Sequence, residues 1–266
     1  MPRLVDLTAS MDPKYRDLVP KEFARWENIV SPKISYWTPD KEGKEVMMKM
    51  YGAPEEDLPD GEGYAAEMLH EMSSHCGTHV DAPLHSGRLI EGRPARTMSD
   101  IDLAELFRPG LVLDVRPWVN RNEAISIEAL QRAIDATGQS VEEGHAVLLR
   151  TGQEEYANDQ REFYEYPGMT GDGTRFLTGL GATILGTDAL AWDRPTPVLV
   201  DAYKRTGDKG HIWDGHFAIR DKEAFIVQKL TNLKALPLSG FTVGFFPIKL
   251  PRTSAAPCRA VAFIAD

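Results

Sequence analysis

Three of the chain's seven histidines fall in the run His75-Cys76-Gly77-Thr78-His79-Val80-Asp81-Ala82-Pro83-Leu84-His85. Imidazole nitrogens and a carboxylate oxygen are the ligands that divalent cations such as zinc and manganese take from proteins. The cluster points to a metal gripped by His75, His79 and Asp81, with His85 close behind. Asp81 is the discriminating member, because a carboxylate beside an apolar face is costly to bury alone and a cation removes that cost. The ligand-capable residues occupy odd positions, while the even ones carry Cys76, Thr78, Val80, Ala82 and Leu84. An extended segment therefore turns ligands to one face and core residues to the other. A helix would also bring 75 and 79 together, but Gly77, Thr78, Val80 and Pro83 argue against one here. A straight strand would hold the α-carbons of 75 and 81 roughly 20 Å apart, too far for a shared ion. The segment must bend, and Gly77 permits the bend.

The pattern His75-x-Gly77-Thr78-His79-x-Asp81-x-Pro83-x-His85 resembles the signature of the metal-dependent cyclase family, which includes bacterial kynurenine formamidases, isatin hydrolases and some lactone hydrolases. The likeness continues in Pro167-Gly-Met-Thr170, Gly186-Thr-Asp188, His216 and the run from Ile226 to Leu233, and so spans most of the chain. It implies an α/β fold of the swivelling β/β/α type, with a mixed sheet and flanking helices. It also implies a small-molecule substrate and a homodimer or homotetramer whose neighbouring chains contribute to the pocket. Two-metal members carry a His at the position of His216 and a Glu twelve residues later, where this chain has Gln228. A neutral amide lacks the charge that a second cation needs. The expectation is therefore one divalent metal, Mn(II) favoured and Zn(II) possible, bound by His75, His79, Asp81 and the oxygen of Gln228.

This arrangement makes His85, four residues beyond Asp81 and past Pro83, the general base and acid, makes His216, without an acidic partner for a second cation, the residue that holds the metal-bound water, and makes Trp213, just before His216, a candidate wall of the substrate pocket. The reaction the resemblance implies is hydrolysis of the carbon–nitrogen bond of a small cyclic amide, isatin-like. An arylformamidase acting on N-formylkynurenine with two metals, usually zinc, a lactone hydrolase, and a metal-binding member without turnover are the alternatives.

The elements that must position these residues read as one α/β domain over 1–266. Strands are expected around Val5, over Lys44–Tyr51, Tyr64–Ser73, Gly110–Val115, His145–Leu149 and Ala182–Gly186, and over Phe241–Leu250 and Cys258–Ala265 near the end. The first third is expected to be mainly sheet. Ser126 opens a helix with Ile127, Leu130 and Ile134 at helical spacing, and Gly138 stops it; Thr174–Leu180 reads as a second helix.

Tyr36, Trp37, Trp192, Trp213, Phe245 and Phe246 are the aromatic candidates for a flat-ring pocket, most of them expected in the core. His70, His145 and His211 read as ordinary histidines. Cys76 and Cys258, too far apart in sequence for a disulfide framework, read as buried apolar residues, although the place of Cys76 within the motif leaves a reactive role open.

With 40 acidic against 30 basic residues and a formal net charge of −10, the chain repels polyphosphate, which disfavours a nucleic-acid partner. The N-terminal residues offer no apolar stretch suited to a signal peptide and no long apolar run suits a membrane span, so a cytoplasmic location without a membrane partner is expected. Neither a Gly-x-Ser-x-Gly elbow nor a nucleotide-binding glycine loop occurs, which disfavours covalent serine catalysis and nucleotide cofactors.

Overall fold

Apolar side chains run almost unbroken through residues 110–115, 146–149 and 184–187, the pattern of strands covered on both faces. The computed structural model describes residues 2–265. Its strands are β1 (Arg3–Asp6), β2 (Lys33–Trp37), β3 (Ala66–Glu71), β4 (His79–Asp81), β5 (Leu89–Ile90) and β6 (Arg93–Pro94), then β7 (Phe107–Asp114), β8 (Ala146–Arg150), β9 (Ile184–Thr187), β10 (Phe225–Gln228), β11 (Phe241–Pro247) and β12 (Ala255–Ile264). The α-helices are α1 (Glu27–Val30), α2 (Glu42–Tyr51), α3 (Ile127–Thr137), α4 (Gly171–Gly179), α5 (Thr196–Thr206) and α6 (Asp214–Phe217).

Strands β7, β8, β9 and β10 pair in parallel. Helices α3 and α4 lie on the crossovers between β7 and β8 and between β8 and β9. Antiparallel β11 and β12 extend the sheet, β1 adds to its edge, and β4 pairs with both β10 and β12. That double pairing closes β12, β11, β7, β8, β9, β10 and β4 into a barrel, so the expected mixed sheet with flanking helices is present and curls on itself.

Alternation along the strands divides the core. Val80, Val112, Leu148, Val227, Val243, Phe245 and Ala256 form one cluster. Their neighbours Leu111, Leu113, Val147, Leu149, Leu185 and Ile226 form another with Leu130 and Ile134 of α3 and Leu177 of α4. The helix-covered cluster is the outer face, so the first fills the barrel. A third cluster joins Phe23 and Val30 from the N-terminal segment to Phe163, Tyr164, Tyr166 and Leu190.

Helix α3 begins and ends where its caps dictate. Ser126 Oγ accepts from the Ala129 amide at 3.1 Å, and Gly138 takes the left-handed conformation at φ +67°. Leu130 and Ile134 are buried as the spacing requires, while Ile127 is 39% exposed. Helix α4 starts at Gly171, before the expected Thr174, because the Thr170 side chain caps it.

The segment Lys44–Tyr51 is a correction: it lies in helix α2, not a strand. Val46 is its only β-branched residue, Glu42 and Glu45 sit in the first turn, and Gly52 caps the end at φ +62°. The first third also corrects the expectation of mainly sheet, since short 3-10 turns at Pro13–Leu18 and Lys21–Trp26 precede α1 and α2.

Candidate metal centre

The bend demanded by the spacing occurs at Gly77, whose φ is +66°. Only His79–Asp81 is strand; Pro83–Ser86 turns as a 3-10 helix that carries His85. Within β4, Val80 points into the barrel, so His79 and Asp81 point to its outer wall. Cross-strand register then places Gln228 directly opposite His79 and Ile226 opposite Asp81. The structure brings His75, His79, Asp81, His85, His216 and Gln228 into one cluster from three separate stretches of chain.

Two groups of ligand atoms share Asp81, one with His75 and His79 and one with His85 and His216. In the first, His75 Nδ1 lies 2.8 Å and His79 Nε2 3.4 Å from Asp81 Oδ1. The other ring nitrogen of each is engaged: His79 Nδ1 meets the Gly77 carbonyl at 2.8 Å and His75 Nε2 meets Ser254 Oγ at 3.4 Å. His79 Nδ1 thus carries the ring proton, and its Nε2 lone pair faces the carboxylate. Buried His79 Nε2 and Asp81 Oδ1 have no hydrogen-bond partner among the described residues. Lone pairs facing one another repel unless a cation joins them, so these residues fit a divalent metal.

The second group is already internally bonded. Gln228 Nε2 donates to Asp81 Oδ2 at 2.7 Å and lies 3.2 Å from His216 Nε2. The amide nitrogen, not the oxygen, therefore faces Asp81, and ligation through Oε1 requires the amide to turn. His85 Nε2 stands 4.0 Å and His216 Nε2 3.5 Å from Asp81 Oδ2.

Behind His216 sits a residue that no sequence pattern flagged. Buried Asp193 accepts from His216 Nδ1 and from the backbone amides of Gly215 at 2.7 Å and His216 at 3.1 Å. It directs Nε2 of His216 toward the cluster. A lone Asp preceding Arg-Pro has no spacing relation to the motif; only its contact with His216 reveals it.

Burial opposes ionisation of Asp81, but His85 and His79, followed by His216 and His75, hold it well below the usual carboxylate range. Burial also opposes charge on His216, yet Asp193 and then Asp81 raise it to about 9. For His85, burial lowers the imidazole to about 4, and the neighbouring histidines add to that against the pull of Asp81. The Cys76 thiol is pushed by burial up to about 11, and Cys258 is also buried, so both are small apolar residues here.

His75, His79, His85, His216 and Gln228 floor a cavity of about 200 Å³. Trp213 lines it, its ring stacked on His216 at 4.3 Å and edge-on to His85 at 4.8 Å. The other aromatic candidates do not line it: Trp192 is buried with Nε1 donating to Thr174, Phe245 fills the barrel, Tyr36 and Trp37 lie on β2, and Phe246 is on β11. The aromatic walls are instead Phe23, Trp26, Tyr164 and Tyr166. His70, His145 and His211 stand apart from the cluster. The first two meet Ser35 Oγ and the Glu142 amide.

Residues 5–194 match the profile of the putative cyclase family. The chain belongs to the cyclase family. Among cyclase relatives, the isatin hydrolase of Roseibium aggregatum is 26% identical over 208 residues, 73% of each chain. The kynurenine formamidase of Salinibacter ruber is 26% identical over 237 residues, 87% of this chain and 92% of that one. A crystal structure of an isatin hydrolase bound to the product analogue thioisatinate superposes with a TM-score of 0.71 at 21% identity, covering 99% and 93% of the two chains. A predicted metal-dependent hydrolase from Bacillus stearothermophilus gives 0.65 at 23% identity with full coverage of both. This cyclase-family chain thus shares its fold with an isatin hydrolase and resembles both isatin hydrolase and kynurenine formamidases in sequence. No helix among its described residues is long and apolar enough to cross a membrane.

Proposed function

We propose that this chain is a hydrolase that opens the carbon–nitrogen bond of a small cyclic amide, an isatin-like lactam, with one divalent metal. The observation that carries the reading is the meeting of His75 Nδ1, His79 Nε2 and Asp81 Oδ1 at the floor of an aromatic pocket, the last two without a hydrogen-bond partner. Similarity to an isatin hydrolase supports it. When bound, the cation supplies Lewis acidity toward the substrate carbonyl and a water. Manganese is the favoured ion and zinc the alternative, with Gln228 Oε1 able to join once its amide turns.

The chain's own residues supply the rest. His85, at the pocket edge of the cluster, takes a proton from the attacking water at Nε2 and returns it to the amide nitrogen. The water oxygen stays on the carbonyl carbon, the carbon–nitrogen bond breaks, and the opened product carries a carboxylic acid and an amine. His216, fixed through Nδ1 by Asp193, holds the water with Nε2. Trp213 and the facing aromatics orient the ring.

One ion suits the charge balance: a single buried carboxylate faces the site, and Gln228 offers none. The second reading, an arylformamidase acting on N-formylkynurenine with two zinc ions, is favoured by the Asp81, His85 and His216 group and by the formamidase relatives. Elemental analysis of chelator-free protein, followed by the loss of isatin absorbance, tests the choice. One manganese per chain with isatin turnover supports the lactam reading, whereas two zinc ions with formamide turnover selects the other. A homodimer or homotetramer is part of the proposal, and light scattering checks it; Tyr36, Met68 and Leu69, exposed on the β2–β3 arm, are surfaces an assembly would cover.

A further inference from the structure

The pocket is as informative for what it lacks as for its walls. Phe23 and Tyr164 stack at 4.2 Å with 6° between their planes, and Trp26, Ile29, Leu190 and Trp213 complete the apolar surround. Among the described residues no Asp, Glu, Lys or Arg side chain lines it; its polar lining is the four histidines with Gln228, Thr196, Tyr164 and Tyr166, all of them without formal charge apart from the imidazoles. Of the charged residues beside its walls in sequence, Arg194 and Asp214 do not line it, although Arg194 Nε and Asp214 Oδ1 are buried without a hydrogen-bond partner among the described residues, and three others are engaged elsewhere. Lys229 Nζ is buried toward the Val30 carbonyl at 3.4 Å and the Phe163 ring at 5.2 Å. The Arg25 guanidinium lies 4.0 Å over the Trp26 ring, with Arg25 itself exposed. Asp193 is taken by His216 and two backbone amides.

A charge on the body of a bound molecule would lose water and meet no partner, which is among the costlier events in binding. An uncharged ring loses little on entering and gains apolar and aromatic contact. We propose that the substrate's body is neutral and aromatic, and that the pocket discriminates against any formal charge borne away from the reacting carbonyl. This rests on the hydrolase reading and sharpens it. N-formylkynurenine carries an ammonium and a carboxylate at the end opposite its formamide, and this pocket has nothing to receive either; an uncharged lactam or simple anilide suits it. Only the carboxylate created by hydrolysis is charged, and it forms at the metal cluster.

Two matched pairs test the inference on metal-loaded protein. The first is isatin-5-carboxamide against isatin-5-carboxylate, equal in shape and different in charge. The second is 2-formamidoacetophenone against N-formylkynurenine, which share the formanilide and differ by the charged tail. The expected result is a kcat/KM at least tenfold higher for the carboxamide than for the carboxylate, with no gain from the amino-acid tail. Equal values in the first pair, or a tenfold advantage for N-formylkynurenine, overturns it. Failure of the hydrolase reading shows separately, as no turnover of any of the four compounds.

Binding then decides, read as quenching of Trp26 and Trp213 fluorescence by the first pair. Tenfold tighter binding of the carboxamide sustains the inference, and equal binding or none by either compound overturns it. Ile29→Arg, which puts a cation on the wall, is expected to narrow the ratio between carboxamide and carboxylate at least threefold; an unchanged ratio counts against the wall as its source.

Discussion

Gln228→Glu probes the charge balance on which the proposal of a single ion rests. The substitution replaces an amide nitrogen 2.7 Å from Asp81 Oδ2 by a carboxylate oxygen. Two unit charges at that separation repel by roughly 6 kcal/mol at an effective dielectric constant near 20. Holding a proton between them at pH 7 costs less, roughly 3.5 kcal/mol for a carboxyl of ordinary pKa. The smaller cost sets the outcome, so the chelated variant should lose about 3 kcal/mol of stability. At roughly 2–4 °C per kcal/mol for a domain approaching this size, its melting temperature should fall by on the order of 10 °C. Metal should restore most of that loss, and the metal content should rise from one toward two ions per chain. Thermal unfolding with and without chelator, paired with elemental analysis, measures both quantities. A chelated variant as stable as the parent, with its metal content unchanged, would refute the claim that Gln228 faces Asp81 and fixes the ion count.

Three further perturbations separate the parts. His85→Ala should lower kcat by 10²- to 10⁴-fold while leaving metal content unchanged; loss of metal on the same substitution would make His85 a ligand instead. Gly77→Ala should destabilise the fold by about 1–2 kcal/mol in urea unfolding, since φ is +66° and the added methyl would meet Met11 Cγ at 2.6 Å. Burial raises the Asp188 carboxyl to about 6 despite hydrogen bonds from Thr151 and Gly152, so the folded chain binds this proton more tightly than the unfolded one. Stability from this group is therefore greatest below pH 4, falls as pH rises to about 6 by roughly 3 kcal/mol, and is flat above that. Asp188→Asn should flatten that part of the pH profile, and an unchanged slope between pH 4 and 6 would assign it to other groups.

The motif was legible because its signal is local. Ligand types at odd positions, apolar residues at even ones and a glycine where the chain must turn are all contained in residues 75–85, and the structure realises them with Val80 inward and Gly77 at positive φ. Helix α3 was legible for the same reason, with both caps in sequence. The pocket walls were not. Phe23 and Trp26 come from an N-terminal segment and Tyr164 and Tyr166 from a loop far along the chain, and what unites them is packing, which leaves no period. Asp193 escaped notice because its meaning depends on one contact with His216. The misread Lys44–Tyr51 shows the opposite failure: a short apolar run with weak alternation, in which Met and Glu propensities and the Gly52 cap outweighed the pattern. Barrel closure depends on β4 pairing on both sides, a relation between strands distant in sequence.

That double pairing carries a consequence for how accurately the site is made. His79 is matched to Gln228 on one side and Pro257 on the other, and Asp81 to Ile226 and Ala255. Sliding a three-residue strand by one position would swap inside for outside, sending both ligands into the barrel and Val80 into the site. Two independent ladders must slip together for that to happen. The spacing of the side chains at 79 and 81 is thus inherited from backbone indexing: the strand acts as a key cut on both edges.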